Sequence, residues 1–228
     1  MRDAYHEELA GLSDQLVEMT RLVGSAVSRA STALLDADLT LAESVIAADD
    51  AVDAIRDELD RRAMDLLARQ QPVASDLRTI ITSLRMSTDL ERMGDLARHV
   101  ARIARRRYPE SAVPATLRAT IIEMSQVAER LVAKAGSVIA SQDVAAAMEL
   151  ERDDDEMDKL HRALFTTLLE PGSRYGVEEA IDITLVSRYY ERFADHAVAV
   201  AGRVVYLVTG QRAEELAGTR SGLSAPGS

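Results

Sequence analysis

The sequence predicts an all-α fold built as two tandem, pseudo-twofold related three-helix bundles. Three observations lead there. Apolar residues recur at helical spacing through six long segments. Pro72, Pro109, Pro114 and Pro171 fall at the ends of those segments. A set of acidic residues in the first half returns in the second, in the same order and helical context. Composition agrees: the 228 residues are 47% hydrophobic and 29% charged, as in an ordinary globular protein. Aromatics make up only 4%, with no Trp, which disfavours a β-sandwich or barrel.

The first helix is expected from Asp3 to Leu35, with Leu9, Leu12, Leu16, Met19 and Val23 on one side. A turn at Asp36–Asp38 leads into a second helix over 39–70, striped by Val45, Val52, Ile55, Leu59 and Leu66. Pro72 ends it, because proline disfavours helix in the residue before it. Ser75 offers an N-cap for a third helix reaching Arg107, closed by Tyr108–Pro109. The second half repeats the plan. Pro114 opens a helix to Ala140, Ser141–Asp143 makes a turn, and a further helix runs to Glu170, where Pro171–Gly172 stops it. The last spans Val177 to Thr209, with Gly210 as its C-cap. Helices of about 30 residues span roughly 45 Å and suit elongated bundles with short connections. The division is residues 1–112, 113–212 and a tail of 213–228, Gly-, Ser- and Pro-rich from Gly218 onward and expected to be disordered.

Charge and cysteine content narrow the function. A net charge of −11 argues against general nucleic-acid binding. Absence of cysteine excludes disulfides, thiolate metal sites and cysteine nucleophiles, and fits a reducing compartment. No N-terminal signal peptide is visible, and no apolar stretch reaches the roughly 18 residues of a membrane span. Any membrane role would go through a partner. The run Arg105–Arg106–Arg107 reads as a helix C-terminus favoured by the dipole, or as a contact for acidic lipid or an acidic partner.

The carboxylates carry the most information. Glu91–Arg92–Met93–Gly94–Asp95 returns 100 positions on as Glu191–Arg192–Phe193–Ala194–Asp195, and Asp49, Asp50 and Asp53 return 105 positions on as Asp154, Asp155 and Asp158. Each half thus has two acidic pairs four residues apart, on one helix face. Rotation by about 100° per residue sets Glu91 and Asp95 opposite the stripe of Met86, Leu90, Met93, Ala97 and Val100. The acids are therefore expected on an outer surface. If the second and third helices form an antiparallel hairpin, Asp53/Glu91 and Asp49/Asp95 share a midpoint at position 72. Asp158/Glu191 and Asp154/Asp195 share one at 174.5, inside the Pro171–Gly176 turn. Each hairpin then brings four carboxylates to one level of a groove. Such oxygen clusters suit hard or borderline cations such as Mg²⁺, Ca²⁺, Mn²⁺ or iron. Arg78, Arg85, Arg92, Arg188 and Arg192 could neutralise them instead. His99 could extend the Asp95 face and His196 adjoins Asp195, whereas the sequence gives His6 and His161 no partner.

The stretch from Gln71 to Arg78, QPVASDLR, followed by Asp89–Leu90–Glu91–Arg92–Met93–Gly94–Asp95, strongly resembles the PhoU family over about residues 1 to 210. The second copy departs from the family pattern at Ala194, where Gly is preferred, and at its turn, which lacks Asp-Leu-Arg. The resemblance implies a duplicated three-helix bundle and a cytoplasmic regulator without catalytic activity. It implies as partners the phosphate ABC transporter, through its ATPase subunit, and the sensor histidine kinase of the phosphate regulon. It also implies restraint of uptake and of the starvation response when phosphate is plentiful, and allows a homodimer; no nucleic-acid partner and no direct membrane insertion are expected from the net charge and from the lack of a long apolar stretch. The metal ligands it implies are Asp49, Asp53, Glu91 and Asp95, then Asp154, Asp158, Glu191 and Asp195, for iron, manganese, magnesium, calcium or zinc. A metal-free helical adaptor is the alternative. A ferritin-like di-metal carboxylate enzyme is disfavoured, because no Glu-x-x-His occurs; the nearest spacings are Asp158 to His161 and Asp3 to His6.

Overall fold

A computed structural model describes residues 2–170 and 175–216. Seven helices follow in order: α1 (Arg2–Asp36), α2 (Leu39–Ala48), α3 (Asp50–Gln70), α4 (Ser75–Arg107), α5 (Arg118–Ser141), α6 (Val144–Leu169) and α7 (Val177–Thr209). There is no strand among the described residues. Helices α2 and α3 together fill the place of one helix, so each half is a three-helix bundle, α1–α2/α3–α4 and α5–α6–α7.

Local chemistry explains most of the ends. Asp38 caps α2, its carboxylate accepting from the Leu41 N–H at 2.9 Å. Asp143 does the same for α6, accepting from Ala145 at 2.8 Å and Ala146 at 3.1 Å. Gly210 closes α7 in the left-handed conformation, with φ 75°, its N–H bonding the Tyr206 carbonyl.

Four expectations need correction. The helix expected over 39–70 is interrupted at Asp49, where Val52 N–H turns to the Asp49 carbonyl in a tightened i to i+3 bond of 3.0 Å. Ser75 is the first helical residue of α4 and not its cap; Ala74 precedes it at positive φ. The helix expected from Pro114 starts a turn later, at Arg118, after a hydrogen bond from Leu117 N–H to the Pro114 carbonyl. The tail expected to be disordered from 213 begins with a helical turn at 213–216, whose Ala213 and Leu216 pack on the core. The stop at Pro171–Gly172, most of the Pro171–Gly176 turn and the tail beyond 216 lie outside the described residues.

The bundles meet broadside. α4 packs against α1, α2 and α3 in its own half and against α7 in the other; α1 packs against α5. Thus α1, α4, α7 and α5 form a central ring, with α2/α3 set into the α1–α4 side and α6 into the α5–α7 side. One continuous apolar cluster runs through both halves. At its centre the fully buried Tyr190 exchanges a 2.6 Å hydrogen bond with Ser31 across the bundle boundary.

Candidate metal grooves and the family of the chain

Two acidic grooves lie between packed helices, α2/α3 against α4 and α6 against α7. In the first, Asp49 stands at the helix interruption and faces Gly94; a Cβ at position 94 would lie 3.3 Å from Asp49 Oδ1. Gly94 therefore leaves room for the side chains of Asp49 and Val52 against α4. Asp49 is buried, and Asp53, Glu91 and Asp95 are half-buried. This corrects the outer-surface expectation. The stripe arithmetic assigned α4 one buried side, whereas it is covered by three neighbours, so the carboxylates sit in the walls of a groove.

The level pairing of Asp49 with Asp95 is seen in a residue that sequence reasoning passed over. Arg98 donates to Asp49 Oδ2 through Nη1 and to Asp95 Oδ1 through Nη2, so one guanidinium bridges the two helices. Its i+3 spacing from Asp95 was the available signal. Arg92 adds contacts at 3.1 Å to Asp95 and 3.5 Å to Glu91. Of the other arginines thought of as neutralisers, Arg78 donates to the Leu207 carbonyl at 3.0 Å and Arg85 lines a cavity near α6 and α7. Burial raises the pKa of Asp49 against the lowering by Arg98, with Asp53 and Asp95 adding to the rise. Burial also raises Glu91, opposed by Arg92 and aided by Asp95.

The second groove is built alike but compensated less. Position 198, 100 beyond Arg98, is Val198. Arg188 pairs with Glu191, and Arg162 reaches Asp158 at 3.3 Å. Asp154 is half-buried, and burial followed by the charges of Asp195, Asp158 and Glu191 pushes its pKa up to about 7. Glu191 is raised by burial and by Asp195, and its Oε2 is buried without a hydrogen-bond partner. Asp195 is exposed. As the side chains stand, no three His, Asp or Glu groups among the described residues converge on a single metal position; arginines hold several of them aside. The donor chemistry fits a cation better in the second groove, with its orphaned oxygen and repelling carboxylates, than in the first, where Arg98 already supplies positive charge.

The histidines divide. His161 Nδ1 lies 2.6 Å from Ser187 Oγ beside the second groove, with Phe165 edge-on at 4.8 Å. His196 turns away from the acids of its own helix to Asp89 on α4, at 3.2 Å. His99 stacks on Tyr189 of α7.

A duplicated three-helix bundle with a Glu/Asp-x-x-x-Asp groove in each copy defines a class of tandem helical-bundle proteins. The PhoU domain family matches residues 16–104 and again 121–204, and the chain belongs to the PhoU family. It is 49% identical to "Phosphate-specific transport system accessory protein PhoU homolog 2" of Mycobacterium tuberculosis, over 92% of this chain and 99% of that one. It is 45% identical to the homolog 1 protein of Mycobacterium leprae, over 94% and 97% of the two chains. The fold superposes on the crystal structure of PhoU from Pseudomonas aeruginosa with a TM-score of 0.82 at 32% identity, covering 91% of this chain and 100% of that one. PhoU from Streptococcus pneumoniae gives the same TM-score at 25% identity. No helix among the described residues is long and apolar enough to cross a membrane.

Proposed function

We propose that this chain is a negative regulator of phosphate uptake and of the phosphate-starvation response, acting from the cytoplasm by contact with the phosphate ABC transporter and the sensor histidine kinase. The observation that carries the reading is near end-to-end identity of 42 to 49% with relatives named as accessory proteins of phosphate-specific transport systems. Contact, not catalysis, is supported by the distribution of exposed apolar residues. Val73, Leu77 and Ile81 near the start of α4, with Val208 at the end of α7, offer apolar surface at one end of the helix pair. Val177 and Ile181 at the start of α7, with Tyr108 just past α4, do so at the other.

Metal belongs to the same proposal. Asp154, Asp158, Glu191 and Asp195 would hold a hard cation without displacing a guanidinium that ties the two helices together, since Arg162 and Arg188 each pair within their own helix. Asp49, Asp53, Glu91 and Asp95 would do so only after Arg98 swings out. A bound cation would neutralise the grooves and fix the helix pairs on either side. A metal-free adaptor is the second reading, favoured for the first groove by the Arg98 bridge.

Deleting the gene should derepress phosphate-scavenging genes, read as a phosphatase reporter, in phosphate-rich medium. Because Mycobacterium tuberculosis has both a homolog 1 and a homolog 2, the test strain must lack any second copy. Unchanged reporter activity in that strain would count heavily against the regulatory role.

A further inference from the structure

Where the C-terminal half of α4 runs beside the N-terminal half of α7, a cavity of about 480 Å³ opens. Arg102, Arg105 and Arg106 line it, together with His99, Leu185 and Tyr189. The charge there is not balanced. Arg106 shares Asp182 with Arg107, and Arg107 also takes Glu178 at 2.7 Å, so two arginines meet two carboxylates. Arg102 and Arg105 are exposed and have no carboxylate partner among the described residues. Two unmatched guanidiniums thus converge on one cavity in a chain of net charge −11. The remaining wall is apolar and aromatic: the rings of His99 and Tyr189 stack at 5.2 Å with 23° between planes. Burial first, then Arg102, lower the His99 pKa, which favours its neutral ring in this wall.

The duplicated fold provides an internal control. One hundred positions on, His99, Arg102 and Arg105 correspond to Ala199, Gly202 and Val205, while Tyr189 corresponds to Asp89. The sister cavity, of about 620 Å³, includes Arg85, Ala199, Gly202, Arg203 and Tyr206. Its Arg203 is held by Asp89 at 2.5 Å, with His196 on the other carboxylate oxygen, and Glu151 and Glu214 line the same cavity as Arg85 and Arg212. The α4–α7 seam therefore packs at one end with no counterpart of Arg102 and Arg105. Those cations are not a requirement of the fold and stand free for a ligand.

We propose that this cavity binds a small anion carrying a chain of phosphates, gripped by Arg102 and Arg105 with Arg106 at the rim and the His99–Tyr189 pair as its wall. Guanidinium forks match phosphate oxygens in paired hydrogen bonds. The volume falls in the range of roughly 300–1,000 Å³ typical of small-molecule sites and exceeds what a single orthophosphate needs. A nucleotide and an inorganic polyphosphate share this chemistry. In a nucleotide, the base would rest on the aromatic wall.

Calorimetric titration of the full chain with ADP, with tripolyphosphate and with sulfate tests the site and needs neither transporter nor kinase. Wild type should bind ADP or tripolyphosphate at one equivalent and sulfate far more weakly. The double variant Arg102→Gln/Arg105→Gln, with unchanged helical circular dichroism, should lose about tenfold or more per arginine. Arg85→Gln in the sister cavity should leave affinity unchanged. Tighter binding of ADP would assign the site to nucleotides; tighter binding of tripolyphosphate would assign it to polyphosphate. Absence of heat from both probes at millimolar concentration, equal binding of sulfate, or equal affinity in the double variant would overturn the proposal.

Discussion

Asp49 and Asp154 occupy equivalent places in the two halves and meet different neighbours. Asp49 is buried against the Arg98 guanidinium; Asp154 has the carboxylates of Asp195, Asp158, Glu191 and Asp155 around it, and Val198 stands where an arginine would be needed. The sign of the consequence follows from its pKa, raised to about 7 from the ordinary 3.8. Between those values the folded chain holds a proton the unfolded chain has lost, so this group's contribution is fully present below about pH 4 and is gone above about pH 7. In chelator, Asp154→Asn should therefore stabilise the protein at pH 8 by about 1–2 kcal/mol, discounted for partial exposure, and should change little at pH 4. Adding Mn²⁺ should raise the melting temperature of wild type and leave the variant unmoved. Equal melting temperatures at pH 8 in chelator would show that the second groove is not strained by its own charge. The pairing of Asp49 with Asp95 was legible from spacing alone, because an antiparallel hairpin about Pro72 puts the two at one level. Arg98 was not, since an arginine three residues from an acid looks like any surface pair until the facing helix supplies Asp49.

At the level of the helix, start and stop chemistry was legible in part. Gly210 was marked in advance by residue type, whereas Asp143 was read only as part of a turn and its capping bonds to Ala145 and Ala146 emerged with the structure. The break at Asp49 was not marked, because Ala47–Ala48–Asp49–Asp50 contains neither glycine nor proline; the break coincides with Asp49 turning its side chain toward Arg98. Contacts between helices were also hidden. α5 approaches α1 at Gly136, where a Cβ would stand 2.5 Å from Thr20 Oγ1 and 3.3 Å from Thr20 Cβ. Thr20 cannot easily yield: it is β-branched, and its hydroxyl bonds the Val17 carbonyl at 2.7 Å. Gly136→Ala gains up to about 1 kcal/mol of helix propensity but meets an overpacking cost of about 1–3 kcal/mol. The expected result is a lower urea midpoint at unchanged slope. Adding Thr20→Ala should return the midpoint to wild type or above. A single variant as stable as wild type would mean that α1 and α5 can separate without cost.

For the whole molecule, the repeat led to two bundles, and both are present, but the apolar stripes did not reveal how the bundles meet. A stripe says which side of a helix is buried and not against what. The core runs unbroken through α1, α4, α5 and α7, so each bundle completes the burial of the other. Polar ties cross the same boundary. Ser31 and Tyr190 share a buried hydrogen bond, and Asp89 on α4 takes His196 and Arg203 of α7. Burial works against the Asp89 charge, yet those hydrogen bonds outweigh it and hold its pKa below the ordinary value. Arg118 of α5 reaches Asp36 of α1 at 2.7 Å. Separating the bundles would expose the apolar faces of all four central helices and leave these groups unpaired, a cost that one bundle alone has no means to offset. The halves should therefore unfold together although each is a copy of the same domain. Scanning calorimetry in chelator should give one transition whose calorimetric and van't Hoff enthalpies agree. Tyr190→Phe, placed in the second bundle, should lower that single transition as a unit instead of splitting it. Two resolved transitions, or a shift confined to one of them, would mean that the duplicated bundles fold as independent domains joined by a weak seam.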